Sequence, residues 1–422
     1  MRESSPMSNS PSPNGPTLLL RYTDGGVTPT QLREYISDAG FFQPLRQTLG
    51  LYVHIPFCRT RCRFCSFYIE PHRVQQVRAF LQAAIQEIEY YAHHIGLRDV
   101  PVETVYVGGG TPTTLHPQEL NGLLQAIRTA FMVRPWAELC VEGHPASLTL
   151  EMISALVKAG WNRLSLGVQS FDVRELRMLG GRPSTRVTQQ ALRLAKAVGF
   201  HNINVDLMYG LPGQTLETWR ASLEDLLAFA PTHCSCYALT VEEGSIFFEE
   251  STRGRMVEPD PALQNAMEAM ASSALQHAGY EQYEISNFSQ PGYACRHNQR
   301  YWRDEPYLGL GPSAQSCLGS LRFGNVGNLS AYCSILRNER LPIDELDFRS
   351  SEQVARETVV FGLRLLQGVP DKKVSPLLQA QTEWKRALQS LKDEGLLVHE
   401  RGRLRLTALG RRYADTVAVA LL

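Results

Sequence analysis

No stretch of the 422-residue chain stays apolar for anything near the ~20 residues that cross a bilayer, so no membrane span is expected. Charge of one sign is missing too: 42 Lys and Arg balance 42 Asp and Glu. That balance gives no general affinity for nucleic acid or an anionic lipid surface, and neither is expected as a partner. Cysteine is sparse, nine in all, and lacks the pattern of a small disulfide framework, which points to a reducing compartment, the cytoplasm. The segment from Ser4 to Pro16 lacks residues able to bury apolar surface and is expected to be disordered. The run Leu18, Leu19, Leu20 after it is too short for a signal-peptide core. What remains can bury a large core and divide into two or three domains.

Cysteine is concentrated where it does occur. Cys58, Cys62 and Cys65, a C-x3-C-x2-C pattern, follow the apolar run Leu51 to Ile55. Three thiolates are thereby packed onto one loop at the carboxyl end of an expected strand, where α/β folds place their sites. Three soft ligands are one short of the set that encloses an electron-carrying [4Fe–4S] cluster, so a cluster held this way keeps one iron open to a small molecule. Cys140, Cys234, Cys236, Cys317 and Cys333 read as small core residues.

Strand-like runs recur at 51–55, 104–107, 138–142, 163–167, 203–207 and 234–239, separated by amphipathic stretches such as 74–94 and 187–198. This alternation predicts an α/β fold with a largely parallel sheet and right-handed crossovers; a closed eight-stranded barrel would need about two more units. The expected divisions are an N-terminal extension over 1–48, the strand–helix core over 49–240, an extension of it over 241–350, and a C-terminal domain over 351–422. In that last region helices are expected over 354–366 and 384–394. A hairpin turns at Arg401-Gly402 and Thr407 caps a final helix, which is a winged-helix order. Glu383, Lys385, Arg386, Lys392 and Asp393 mix charges on the second helix, so a lid or docking module is expected rather than a DNA reader.

Polar and glycine-rich groups gather at the strand ends. Gly108-Gly109-Gly110-Thr111 follows the second strand, and its backbone N–H groups are candidates to hold a ligand. Glu142, Gln169 and Asp206 end the third, fourth and fifth strands; a carboxylate inside an apolar strand costs several kcal/mol unless partnered. His297-Asn298 followed by Tyr301-Trp302, with Cys295 just ahead, reads as a Gly/Pro-flanked loop outside the barrel in which His and Cys could face one metal.

The C-x3-C-x2-C loop after Tyr52-Val53-His54-Ile55-Pro56-Phe57 resembles the radical S-adenosylmethionine (SAM) enzymes. Within them it resembles the group of oxygen-independent coproporphyrinogen III oxidase and the HemW haem chaperones. The resemblance runs from about Leu51 to the C-terminus and implies an open (β/α)6 partial TIM-type barrel with a C-terminal winged-helix-like domain. It implies a [4Fe–4S] cluster on Cys58, Cys62 and Cys65, whose open iron chelates SAM and whose electron cleaves it to a 5′-deoxyadenosyl radical. A reducing partner such as flavodoxin or ferredoxin follows. Gly109, Gly110 and Thr111 would hold SAM's amino end, with Glu142 as the catalytic carboxylate, and Tyr52, Phe64, Gln169, Asp206 and Ala238 would surround its methionine and ribose. The segment from Tyr283 to Gly311 resembles the HemW proteins, whose His-Asn-x-x-Tyr-Trp is associated with haem; this implies a haem site at His297 and a haem-accepting client protein. Phe67 stands where the oxidase has a fourth cysteine, which disfavours porphyrin decarboxylation. Three departures favour a methyltransferase of the same superfamily, using two SAM molecules and including the anaerobic haem-degrading kind. They are Arg182 one position late, Gln315 in place of a histidine, and about fifty residues ahead of the first strand. The haem-chaperone expectation is preferred.

Overall fold

A computed structural model describes residues 18–22, 25–42, 47–181, 184–380 and 382–422. The expected disordered tail and Arg182 lie outside the described residues. At the centre are six parallel strands, β1 (Leu49–Ile55), β2 (Val102–Gly109), β3 (Val133–Gly143), β4 (Arg163–Gln169), β5 (Asn202–Tyr209) and β6 (His233–Ala238), each paired with the next. Helices α1 (Val74–Glu89), α2 (Pro117–Ala130), α3 (Leu150–Ala159), α4 (Thr185–Val198), α5 (Leu216–Phe229) and α6 (Pro261–His277) follow the strands in turn. This is the (β/α)6 arrangement of a radical SAM partial barrel.

Period-two alternation explains why the helices stay. Leu51, Val53 and Ile55 of β1, Val105 and Val107 of β2, Val141 of β3, Leu164 and Leu166 of β4 and Val205 and Leu207 of β5 are fully buried, forming the apolar face that the helices cover. Side-chain hydroxyls start several helices: Thr149, Ser184 and Thr215 each accept an N–H from the first turn. Trp219 of α5 is fully buried and donates its indole N–H to the Met267 carbonyl of α6 at 2.9 Å, joining the last two crossovers.

The sheet does not close. Tyr307–Leu310 adds in parallel to β1, and Gln315–Leu318, Leu321–Asn325, Ile343–Phe348 and Leu18–Arg21 continue it antiparallel. Asn287–Ser289 and Glu281–Gln282 extend the β6 edge, giving thirteen strands among the described residues. The loosened alternation after residue 240 is therefore still sheet, built mostly from strands of two to five residues, too short for their alternation to be read. After it, Ser351–Gly362, Val369–Pro370, Asp371–Ala380, Thr382–Asp393 and the antiparallel pair Leu397–Glu400 and Arg403–Leu406 run in winged-helix order, over a separate core that includes Val359, Trp384, Leu391 and Leu404. The side chain of Thr407 caps the next helix by accepting the Gly410 N–H.

Glu87 ties the outer strands to the barrel. Its carboxylate is fully buried and accepts from the Gly311 N–H at 2.8 Å, the Asn325 amide at 2.7 Å and the Tyr332 hydroxyl at 2.6 Å. Burial pushes it up to about 7 against the pull of those donors. Because its folded value lies above the unfolded one, its contribution to stability is complete below about 4.5 and is lost as pH rises through about 7. The thermal midpoint of Glu87→Gln should therefore vary less than that of wild type between about pH 5 and pH 8. Glu87→Ala, which strands three buried donors, should cost on the order of 3–5 kcal/mol in denaturant unfolding.

Candidate functional site

Where β1 ends, the chain enters the cysteine loop. Phe57–Cys58 pairs in parallel with Glu70–Pro71, and the His72 N–H reaches the Cys58 carbonyl at 3.2 Å, so the loop closes on itself. Cys58, Cys62 and Cys65 are free thiols, each half-buried. Arg63 anchors the far side: its N–H meets the Leu179 carbonyl, its carbonyl takes the Phe247 N–H, and its guanidinium reaches the Met178 carbonyl at 3.0 Å and pairs with Glu250. Burial pushes all three thiols above the ordinary cysteine value, Cys62 up to about 11, with neighbouring thiols adding to the rise at Cys58 and Cys62. Such groups ionise when a cation arrives, so loading a metal there releases protons. Among the described residues no three His, Cys, Asp or Glu converge as a single metal ion would need. A [4Fe–4S] cluster instead seats each thiolate on its own iron, and three soft thiols on one half-buried loop fit that group.

The glycine turn lies against this loop. The Gly110 N–H bonds the Ile55 carbonyl at 2.8 Å, and the Thr111 N–H bonds the Phe57 carbonyl at 2.9 Å. A Cβ on Gly110 would stand 2.7 Å from the Phe57 oxygen, so only glycine allows the approach. Gly109, at φ +104, gives its N–H to Glu142 Oε2 at 3.3 Å. The expected free N–H groups of residues 109–111 are thus all consumed by the chain, which corrects that expectation. A ligand at this turn meets carbonyl oxygens and a carboxylate, which suits a molecule that brings its own donors. Glu142 is half-buried and accepts the Tyr106 hydroxyl at 2.7 Å; burial foremost, with Asp206 adding repulsion, lifts it to about 7. The Thr111 hydroxyl stands 3.5 Å from Cys58 Sγ.

Other expected site residues line the same lumen. Tyr52 stacks on Tyr106 with centroids 6.3 Å apart and contacts His54 Nδ1 through its hydroxyl at 3.1 Å. Gln169 adopts φ +67 and accepts the Tyr237 hydroxyl at 2.7 Å. Asp206 is raised by burial and accepts from Asn204 at 2.7 Å. Ala238 closes β6 half-buried, and Phe64 packs on the cluster of Leu179, Met208, Leu211, Leu239 and Phe247.

His297 is elsewhere. The expected loop is a short helix, Arg296–Trp302, driven into the amino end of the barrel rather than lying outside it. The imidazole is 1% exposed, stacked on Tyr106 at 5.2 Å, with Nδ1 2.8 Å from the Thr104 hydroxyl and Nε2 2.9 Å from the Tyr301 hydroxyl. Glu138 accepts the backbone N–H groups of Arg296 and His297, and it also faces Cys295 Sγ, so Cys295 and His297 do not aim at a common metal. The winged region holds this plug from outside. Glu284 bridges Leu365, and an Arg349 guanidinium joins Asp304 just past the helix to Glu357. Thr104, Tyr106 and Glu138 went unread as site residues in the sequence, although they are polar residues at the inward parity of predicted strands; Tyr301 was read only as a ring of the His297 segment.

Comparison with known proteins gives the family. Residues 52–226 match the radical SAM superfamily and residues 350–413 the HemN C-terminal domain. A protein named heme chaperone HemW from Mycobacterium tuberculosis is 36% identical over 380 residues, 89% of this chain and 95% of the relative. The Bacillus subtilis protein of the same name is 32% identical, covering 88% and 98%. The mitochondrial radical S-adenosyl methionine domain-containing protein 1 of Bos taurus is 32% identical, covering 93% and 92%. The structure of coproporphyrinogen III oxidase (HemN) from Escherichia coli superposes with a TM-score of 0.80 over 95% of this chain and 96% of that one at 24% identity, which shows a shared fold.

Burial, with the Arg300 charge assisting, lowers His297 to about 3, so the ring is neutral at every ordinary pH. Imidazole nitrogen NMR should show one neutral tautomer, with no titration between about pH 5 and pH 8. A ring that titrates near the ordinary value of ~6.5 would mean the plug is open in solution.

Proposed function

The chain belongs to the HemW-type haem chaperones of the radical SAM superfamily, and from that membership we propose that it binds haem and passes it to a client apoprotein in the cytoplasm. The observation that carries the site assignment is the cysteine loop lying against a turn whose N–H groups are all used, with Glu142 beside it. Cys58, Cys62 and Cys65 would hold a [4Fe–4S] cluster, and SAM would bind with its ammonium on Glu142 and the carbonyls of residues 108–110. When bound, the cluster supplies the single electron that breaks a sulfonium carbon–sulfur bond of SAM. The chain's own residues do the rest. Tyr106 and the Gly109 N–H fix Glu142, Tyr52 and Phe64 wall the mouth with aromatic surface, and Gln169, Asp206 and the end of β6 at Ala238 offer polar contacts at the ribose side.

Haem is assigned to the helix carrying His297, as an imidazole beside Tyr301 and Trp302. For Nε2 to hold haem the ring would have to leave the Tyr301 hydroxyl, which would couple haem uptake to movement of the plug. The Tyr301→Phe variant, which frees Nε2, should take up haem faster, and His297→Ala should bind it at least about tenfold more weakly while keeping its cluster absorbance. Equal haem spectra and affinities for wild type and both variants would remove His297 from the site.

For the cluster, alanine at any one of the three cysteines should abolish the thiolate–iron absorbance after anaerobic reconstitution. Glu142→Gln should keep that absorbance and lose roughly tenfold in SAM affinity by calorimetry. Since ionised Glu142 is the form that holds an ammonium, wild-type affinity should fall as pH drops through about 7, and the Gln variant should not follow it.

A further inference from the structure

We propose that the arginine rim beside the cysteine loop is the docking surface for a small acidic flavoprotein that delivers the electron; the proposal rests on the cluster assignment above. The chain is neutral overall, yet residues 58–73 hold four arginines and a single glutamate. Arg63 is spent inside, paired to Glu250. Arg59, Arg61 and Arg73 remain exposed. Arg59 and Arg73 fall on one side of the loop, because Cys58 pairs with Pro71 and its carbonyl holds the His72 N–H at 3.2 Å. Arg61 turns the other way, to the Gly244 carbonyl at 2.8 Å, beside exposed Glu242 and Glu243. The uncompensated charge is therefore at Arg59 and Arg73, next to Cys58.

Phe67 selects the kind of donor. It is 65% exposed, two residues past Cys65, in a loop otherwise held down on both sides. An exposed phenyl ring at the rim of a redox site offers an apolar face to the edge of a flavin ring system, which an iron–sulfur carrier does not present. Charge outside and one aromatic contact inside describe a small, transient interface of the electron-transfer class, in which complementarity sets the encounter rate. The donor's reduced flavin loses one electron and the site gains one; no bond in this chain forms or breaks.

The test uses the reconstituted full chain and a purified bacterial flavodoxin, with affinity read by titration at about 20 mM and about 300 mM salt. Arg59→Glu combined with Arg73→Glu should weaken binding at least about tenfold at low salt, with the gap narrowing at high salt. Phe67→Ser should weaken it at both. Cluster absorbance and reduction by dithionite should match wild type in every variant. Unchanged affinity would overturn the proposal, as would loss of cluster absorbance in the arginine variant, since the side chains would then serve the loop. Tighter binding of an acidic ferredoxin, indifferent to Phe67→Ser, would overturn the flavin assignment. Wild type that binds flavodoxin but takes up no iron would sink the cluster reading and support the surface. Wild type that carries iron, is reduced by dithionite and ignores flavodoxin would sink the surface alone.

Discussion

Every second residue of six parallel strands points to the concave side of one open sheet, and polar atoms sent there must find one another. Tyr106 satisfies Glu142, Tyr237 satisfies Gln169, and Asn204 joins Ser165 to Asp206. An unpaired polar group in such an interior costs about 1–3 kcal/mol, so these pairings add to the ladder in holding the strand ends in register. The glycines follow from the same crowding: a Cβ at Gly108 would meet the Glu142 carboxylate at 2.8 Å, and one at Gly109 the His54 ring at 2.6 Å. The carboxylate and the turn therefore fit only together.

The two ends of that concave side differ in chemistry. At the carboxyl end the backbone has used its donors, leaving acceptors and three thiols. At the amino end Thr104, Glu138 and Tyr301 enclose His297 with every polar atom of the ring engaged. Tyr106 touches both, its hydroxyl on Glu142 and its ring against His297. One side chain thus links the strand-end carboxylate to the plug, and Glu357 of the winged region braces the plug through Arg349, which also holds Asp304.

Much of the barrel could be read in the sequence because β1 to β6 are apolar runs broken by long amphipathic stretches, which is the strongest periodic signal a chain carries. The cysteine loop was legible from its spacing, whereas the glycine turn took its reading from its place one strand–helix unit later and from the family resemblance. What escaped were pieces without periodicity. Tyr307–Leu310 and Gln315–Leu318 are four residues each, and the helix carrying His297 spans less than two full turns, so their neighbours set their conformation. The direction of the turn's N–H groups escaped as well. Glycine content declares that the backbone comes close to something, and here that partner is the chain's own β1.

Leu18–Arg21 pairs with Ile343–Phe348, Leu18 opposite Phe348, at the outer edge of the thirteen-stranded sheet. On a ribosome moving at about 5–20 residues per second, that strand would leave the exit tunnel on the order of half a minute before its partner existed. Through that interval the barrel can assemble from units that are neighbours in sequence, while the last edge of the sheet stays open. The earliest of the described strands is thus among the last to be placed, and the completed sheet records a waiting time as well as a topology.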